Sequence, residues 1–147
     1  MAYAALLSGV TLAQAGLGAV HGLAAPLGAL FPIPHGVACS ALAAAATRMN
    51  IDCMEARDPA NPALEKYAQL GRLFRGRSHV DDAGARVFLV HTLTQWSTQL
   101  ELPRLSHFGV TAGDLDRVVA RRRGNSMKTN PMVLTNNEAR AILAQRL

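Results

Sequence analysis

No lysine, arginine, aspartate or glutamate occurs between Met1 and Thr47, so every formal charge lies from Arg48 onward. Aromatics are scarce too, at 5% of 147 residues. A core poor in aromatics is built from Ala, Leu and Val, which favours close helix packing over a β-sandwich. Half the residues are hydrophobic and 17% are charged, which excludes disorder of the whole chain. Only two cysteines occur, Cys39 and Cys53, with no CxxC pair. That excludes a disulfide framework and points to reduced thiols in a cytoplasmic protein, with Cys39 expected in the interior.

Several functional motifs are missing as well. No GxSxG nucleophile turn is present. Gly16-Leu17-Gly18 lacks the third glycine of a dinucleotide loop and follows no strand, so it holds no nucleotide phosphate. The apolar N-terminus has no basic segment before it, which excludes a signal peptide.

The length fits one domain, able to bury roughly 70% of its unfolded surface. The neutral first third invites two readings beyond a signal: a membrane hairpin, or a buried block that packs against more protein. Residues 1–20 are long enough to span a bilayer. They lean on Ala and Gly, however, and no Lys/Arg cluster flanks them to fix an orientation. The reading is no membrane partner, with a small membrane protein kept as an alternative that detergent-free solubility would eliminate.

The charged remainder carries a net +5 and a pI near 10. Its basic cluster, Arg121-Arg122-Arg123 with Lys128, lacks interleaved aromatics and any nucleic-acid motif. It reads as a solvated helix end, and no nucleic-acid partner is expected.

No strand pattern survives inspection, and the expected fold is all-α. Met1–Ala15 reads as a helix loosened by Gly16 and Gly18. A second runs from Leu17 to about Leu30, with Pro26 able to bend it. Phe31-Pro32-Ile33-Pro34 must be extended, and a third helix runs from about His35 to Asn50. After the Asp58–Pro62 turn cluster comes an amphipathic helix from about Ala63 to Phe74. Asp81-Asp82 cap a helix through Leu100, with Val87, Val90, Leu93 and Leu100 as its apolar stripe and Trp96 as a core or interface anchor. Thr111 with Asp114, and Thr135 with Glu138, repeat the Ser/Thr-x-x-acid cap, the second opening a helix Asn136–Leu147.

Two histidines stand in apolar surroundings, His21 and His35. On one continuous helix they would be roughly 21 Å apart, too far to share an ion. A reversal at the proline-rich connector brings His35 back toward His21, and neutral imidazoles suit Zn or Fe(II). The spacing alone is met equally by two locally satisfied histidines. His91 reads as a helix-surface histidine, and His79 and His107 as loop residues.

The segment Gly16–Gly36 resembles the signature region of the iron-containing (group III) alcohol dehydrogenases. His21 on a Gly-rich helix, Pro26-Leu27-Gly28, and Ile33-Pro34-His35-Gly36 stand where that family has its metal-binding stretch. The Asn130-Pro131 step, the Leu134-Thr135 cap and the closing Ala141-Ile142-Leu143 helix are similar to the family's last element. The resemblance implies one helical domain over residues 1–147, like the C-terminal α domain of the dehydroquinate synthase-like fold. It implies the C-terminal part of a larger protein whose N-terminal nucleotide-binding domain is absent from this chain. It further implies His21 and His35 as ligands of Fe(II) or Zn, with Gly22, Pro26, Phe31 and Gly36 shaping the site. NAD(P) and a small alcohol or aldehyde would bind in the intact enzyme. Many members carry another histidine four residues after the first ligand, where this chain has Ala25, and their carboxylate ligand has no counterpart before Asp52. The isolated chain is therefore expected to be inactive. The rival reading is a non-catalytic helical remnant or interaction module. In either case the neutral block is expected to drive formation of a homo-oligomer.

Overall fold

A computed structural model describes residues 2–76, 80–122 and 124–147, with the side chain of Asn125 left aside. Eight α-helices and two short 3-10 turns make up its regular structure, and among the described residues there is no strand. The all-α expectation holds.

Helix α1 spans Ala2–Ala15 and α2 spans Ala19–Leu30, the break falling at Gly16–Gly18 with a bend of 97° between them. Among the described residues no single helix is long and apolar enough to cross a membrane. Phe31–Pro34 form the extended connector that two prolines require, and α3 then runs His35–Arg57. The sequence suggested an end near Asn50, where charge begins. The helix continues because Asp52, Glu55 and Arg57 lie on its exposed side while Ile51, Cys53 and Met54 stay buried.

At 23 residues, α3 is about 34 Å long and serves two cores. Its first half packs with α2, α6 (Leu115–Ala120) and α8 (Asn136–Ala144) around Leu23, Leu27, Leu42, Val118, Ile142 and Leu143. Its second half places Ile51 and Met54 against Leu64 and Val90 of the α4–α5 hairpin, Pro62–Arg75 and Asp82–Gln99. Truncating any of the fully buried leucines would cost about 2–5 kcal/mol.

The hairpin is close because Gly71 has no side chain. A Cβ there would lie 1.9 Å from the Ala85 carbonyl oxygen, so the two helix backbones touch. This contact fixes which face of α5 is inside: Ala85, Leu89 and Thr92 at helical spacing, with Val90 and Ser97 beside them. The expected stripe is corrected accordingly, since Val87 is 70% and Leu100 69% exposed. Thr92 and Ser97 tolerate burial because each hydroxyl donates to the carbonyl four residues back, at 2.9 Å in both cases. Trp96 is not a core residue. It lies partly exposed against Phe74, ring centroids 5.0 Å apart.

The caps appear where the sequence placed them. The Asp81 carboxylate accepts from the Gly84 N–H at 2.8 Å, and reciprocal capping boxes join Thr111 to Asp114 and Thr135 to Glu138. The last helix stops at Ala144, short of Leu147, and the end of the chain pairs instead with a loop: Leu105 N–H donates to the Arg146 carbonyl at 2.7 Å. The short α7, Asn125–Lys128, lies across α2.

Candidate metal centre

The proline connector turns the chain back so that the start of α3 stands beside the start of α2. His21, half-buried on α2, and His35, exposed at the first position of α3, meet with ring centroids 5.3 Å apart and planes tilted by 49°. A third donor joins them. Cys39 lies one helical turn after His35 on the same face of α3, its Sγ 3.4 Å from His35 Nε2. One ligating atom from each of His21, His35 and Cys39 lies within 4.8 Å of the other two. Among the described residues this is the grouping of His, Cys, Asp and Glu side chains that could hold an ion.

The electrostatics favour neutral imidazole. Burial, and secondarily the neighbouring His35, pull the His21 pKa below its ordinary value. A neutral ring keeps the lone pair that a metal needs. Burial pushes the Cys39 thiol up. Cys39 is half-buried, correcting the expectation of a fully interior thiol, while Cys53 is buried elsewhere and both are free.

The surroundings are shaped by small residues. A Cβ on Gly22 would lie 2.2 Å from the Met127 Sδ, so the missing side chain lets α7 cover this part of α2. Pro26 is buried within α2 without ending it. Phe31 packs at the core edge beneath the Arg117 guanidinium, 5.7 Å from the ring centroid. Gly36, expected to shape the site, has nothing within 4 Å of the position a Cβ would take, so sterics give it no such role. His21 opens onto a cleft of about 280 Å³, floored by Gly22, Ala25, Pro26 and Ala29 and rimmed by Arg121 and Arg122. Ala25, small and exposed, leaves this cleft open where a larger side chain would fill it.

The α2 end of the site is held from far away in sequence. The Asn130 side-chain oxygen Oδ1 accepts the Ala19 N–H at 2.9 Å, capping α2 two residues before His21. Sequence reading noted the Asn130-Pro131 step without seeing this role. Read as reduced thiols only, the cysteines give no sign in the sequence that Cys39, one turn after His35, joins the two histidines.

The other candidates stand apart from the centre. His91 is exposed on α5, beside a cleft where Arg86 pairs with Glu55 at 2.8 Å. His107 is exposed in a 3-10 turn, edge-on to Phe108. His79 and Arg123 lie outside the described residues. Within the basic cluster, Arg121 and Lys128 are exposed, but Arg122 is structural, donating to the Leu134 carbonyl at 2.9 Å and to Asn136 Oδ1 at 2.7 Å.

Residues 1–147 match the family described as "Fe-containing alcohol dehydrogenase family, C-terminal". The 1,3-propanediol dehydrogenase of Klebsiella pneumoniae is 34% identical over 152 residues, covering 99% of this chain and 36% of that protein. Alcohol dehydrogenase 4 of Schizosaccharomyces pombe is 33% identical, over 97% of this chain and 31% of its own length. The chain thus spans about a third of the curated relatives it matches. Among solved structures, a 1,3-propanediol oxidoreductase superposes with a TM-score of 0.85 at 28% identity, covering 99% of this chain and 37% of that one. An alcohol dehydrogenase from Oenococcus oeni superposes with a TM-score of 0.79 at 26% identity, covering 96% and 35% respectively.

Proposed function

Because the chain belongs to the Fe-containing alcohol dehydrogenase family, as its C-terminal all-α domain, we propose that it forms the metal-holding wall of an NAD(P)-dependent alcohol dehydrogenase or aldehyde reductase. The observation that carries this reading is the meeting of His21 and His35, on successive helices, with ring centroids at 5.3 Å. Both nitrogens come from helix starts fixed by packing, and the lowered pKa of His21 keeps its lone pair available. An Fe(II) or Zn ion held there supplies Lewis acidity toward an alcohol or carbonyl oxygen. The cleft beside His21 admits a small substrate, and Ala25 leaves room for it without offering a proton-carrying group.

The cofactor belongs to the remainder of the intact enzyme. Among the described residues there is no strand leading into a glycine loop, the arrangement a dinucleotide pyrophosphate requires. The 147-residue chain alone therefore oxidises no alcohol.

Equilibrium dialysis under anaerobic conditions tests the metal assignment. One equivalent of Fe(II) or Zn should bind the purified chain, and His21→Ala or His35→Ala should each abolish it. Full retention of metal in either variant overturns the assignment. NAD(P)-dependent turnover by the purified 147-residue chain would overturn the second statement.

A further inference from the structure

Where α3, α5 and the end of α8 meet, positive charge gathers without a counter-charge. Ala44 and Ala45 are small and leave a cleft of about 150 Å³ there, with Arg48 one turn further along α3. Gln145 and Arg146, just after α8, line it as well. Burial, and secondarily the neighbouring Arg104 cation, pull the Arg146 pKa below its ordinary value. None of the ion pairs among the described residues reaches Arg48 or Arg146. Among the same residues, the side-chain polar atom that is buried without a hydrogen-bond partner is Arg146 Nε. An orphaned N–H on a desolvated cation is costly, and a bound ion is one way a native fold answers it.

We propose that this cleft binds a phosphate group, held between the guanidinium groups of Arg48 and Arg146. None of its lining residues belongs to the metal centre, so neither reading rests on the other.

The donors left for a ligand are cationic or amide groups. Thr94 and Ser97 of α5 also line the cleft, but their hydroxyls already donate to the Val90 and Leu93 carbonyls at 2.8 and 2.9 Å. Arg146 Nη2 donates to the Leu102 carbonyl at 3.0 Å, which holds the guanidinium in place and leaves Nε unspent. With Arg48 and the Gln145 amide this makes a set of N–H donors, and no acidic side chain lines the cleft. Charge selects among anions. A phosphate monoester carries about −1.5 to −2 at pH 7, which answers two arginines where a carboxylate answers one. Its three acceptor oxygens suit donors that arrive from separate elements, and guanidinium groups match them in geometry. A bound phosphate also ties the end of α8 to the α3–α5 contact.

Isothermal titration of the metal-free 147-residue chain with inorganic phosphate, at constant ionic strength and slightly above neutral pH, tests the site. One equivalent should bind saturably. Arg48→Gln and Arg146→Lys should each bind at least about tenfold more weakly, the loss expected of one charge-assisted hydrogen bond. Arg48 is exposed on α3, so its variant should keep the fold, which circular dichroism checks. Arg121→Gln, which removes a cation from the other cleft, should bind like wild type. Phosphate stabilises proteins generally by exclusion from their surface, so the thermal midpoint should rise further in wild type than in Arg48→Gln. Titration with glycerol 3-phosphate separates the sources: equal affinity assigns a phosphomonoester, and binding of inorganic phosphate alone assigns the free ion. No saturable phosphate binding by wild type overturns the proposal, as does unchanged affinity in Arg48→Gln. Acetate binding as tightly as phosphate overturns the assignment of the ligand.

Discussion

Asn50 and Asn130, 80 residues apart, exchange two side-chain hydrogen bonds at 2.8 and 3.2 Å. Asn130 also accepts from the Ala19 N–H at 2.9 Å and donates to the Met132 carbonyl at 2.6 Å. One amide therefore joins the start of α2, the middle of α3 and the loop before α8. Asn130→Ala should cost about 2–3 kcal/mol, because it strands the amide of Asn50, which is only 5% exposed. Urea denaturation measures the loss. The same variant should bind metal more weakly, since the α2 end that carries His21 is no longer capped.

Gly71→Ala tests the contact between α4 and α5. The added methyl would meet the Ala85 carbonyl at 1.9 Å, and that neighbour is backbone. The hairpin must open, at a cost of about 1–3 kcal/mol despite the better helix propensity of alanine. A lowered thermal midpoint with unchanged metal binding is the expected result, because the hairpin packs on the opposite half of α3 from the histidines.

Acid should weaken the protein through its two capping boxes. Burial opposes ionisation of Glu138, but hydrogen bonds from Thr135 and Cys53 and the Arg57 cation outweigh it and hold the carboxyl below its ordinary value. Asp114 is held down by the hydroxyl and N–H of Thr111 and by Arg117. A carboxylate with a depressed pKa stabilises the fold fully above its unfolded value, about 4, and loses that contribution as pH falls through the folded one. The denaturation midpoint should therefore be flat near neutrality and fall in acid. Glu138→Ala should cost about 1 kcal/mol at pH 7 and flatten part of the acid-side slope.

Helix α1 buries none of its residues, and Tyr3, Leu6 and Val10 are 73%, 63% and 53% exposed. An apolar helix left in water promotes association. The purified chain is expected to form a homo-oligomer, a symmetric dimer being the simplest, with a mass above that of one chain by light scattering. Leu6→Lys with Val10→Lys should shift it to monomer without loss of helicity in the rest.

What could be read from the sequence was local. The caps at Asp81, Thr111 and Thr135 were legible because the capping side chain sits within three residues of the N–H it serves. The connector was legible because Pro32 and Pro34 leave no helical alternative. The convergence of His21 and His35 needed more: prolines say that the chain turns, and only the family resemblance says where it arrives. The inner face of α5 was misread because hydrophobicity singled out Val87 and Leu100, whereas the glycine contact from α4 decides the rotation. Asn130 and Cys39 were missed for opposite reasons. One acts across 111 residues, beyond any local pattern, and the other sits a single turn from His35, where a lone thiol carries no pattern of its own.

The long reach of Asn130 also sets an order of events during synthesis. Ala19, His21 and His35 leave the ribosome well before the amide that caps α2, which lies 111 residues behind Ala19. At about 5–20 residues per second, that interval lasts on the order of ten seconds. Through it the nascent α2 has hydrophobic faces and an uncapped start, with α6 and α8 not yet made to cover Leu23 and Leu27. A chaperone that binds exposed leucine-rich segments would meet its target in this window and lose it when the C-terminal helix emerges. A ribosome stalled before Asn130 should therefore display a chain whose histidines are present but not yet held together.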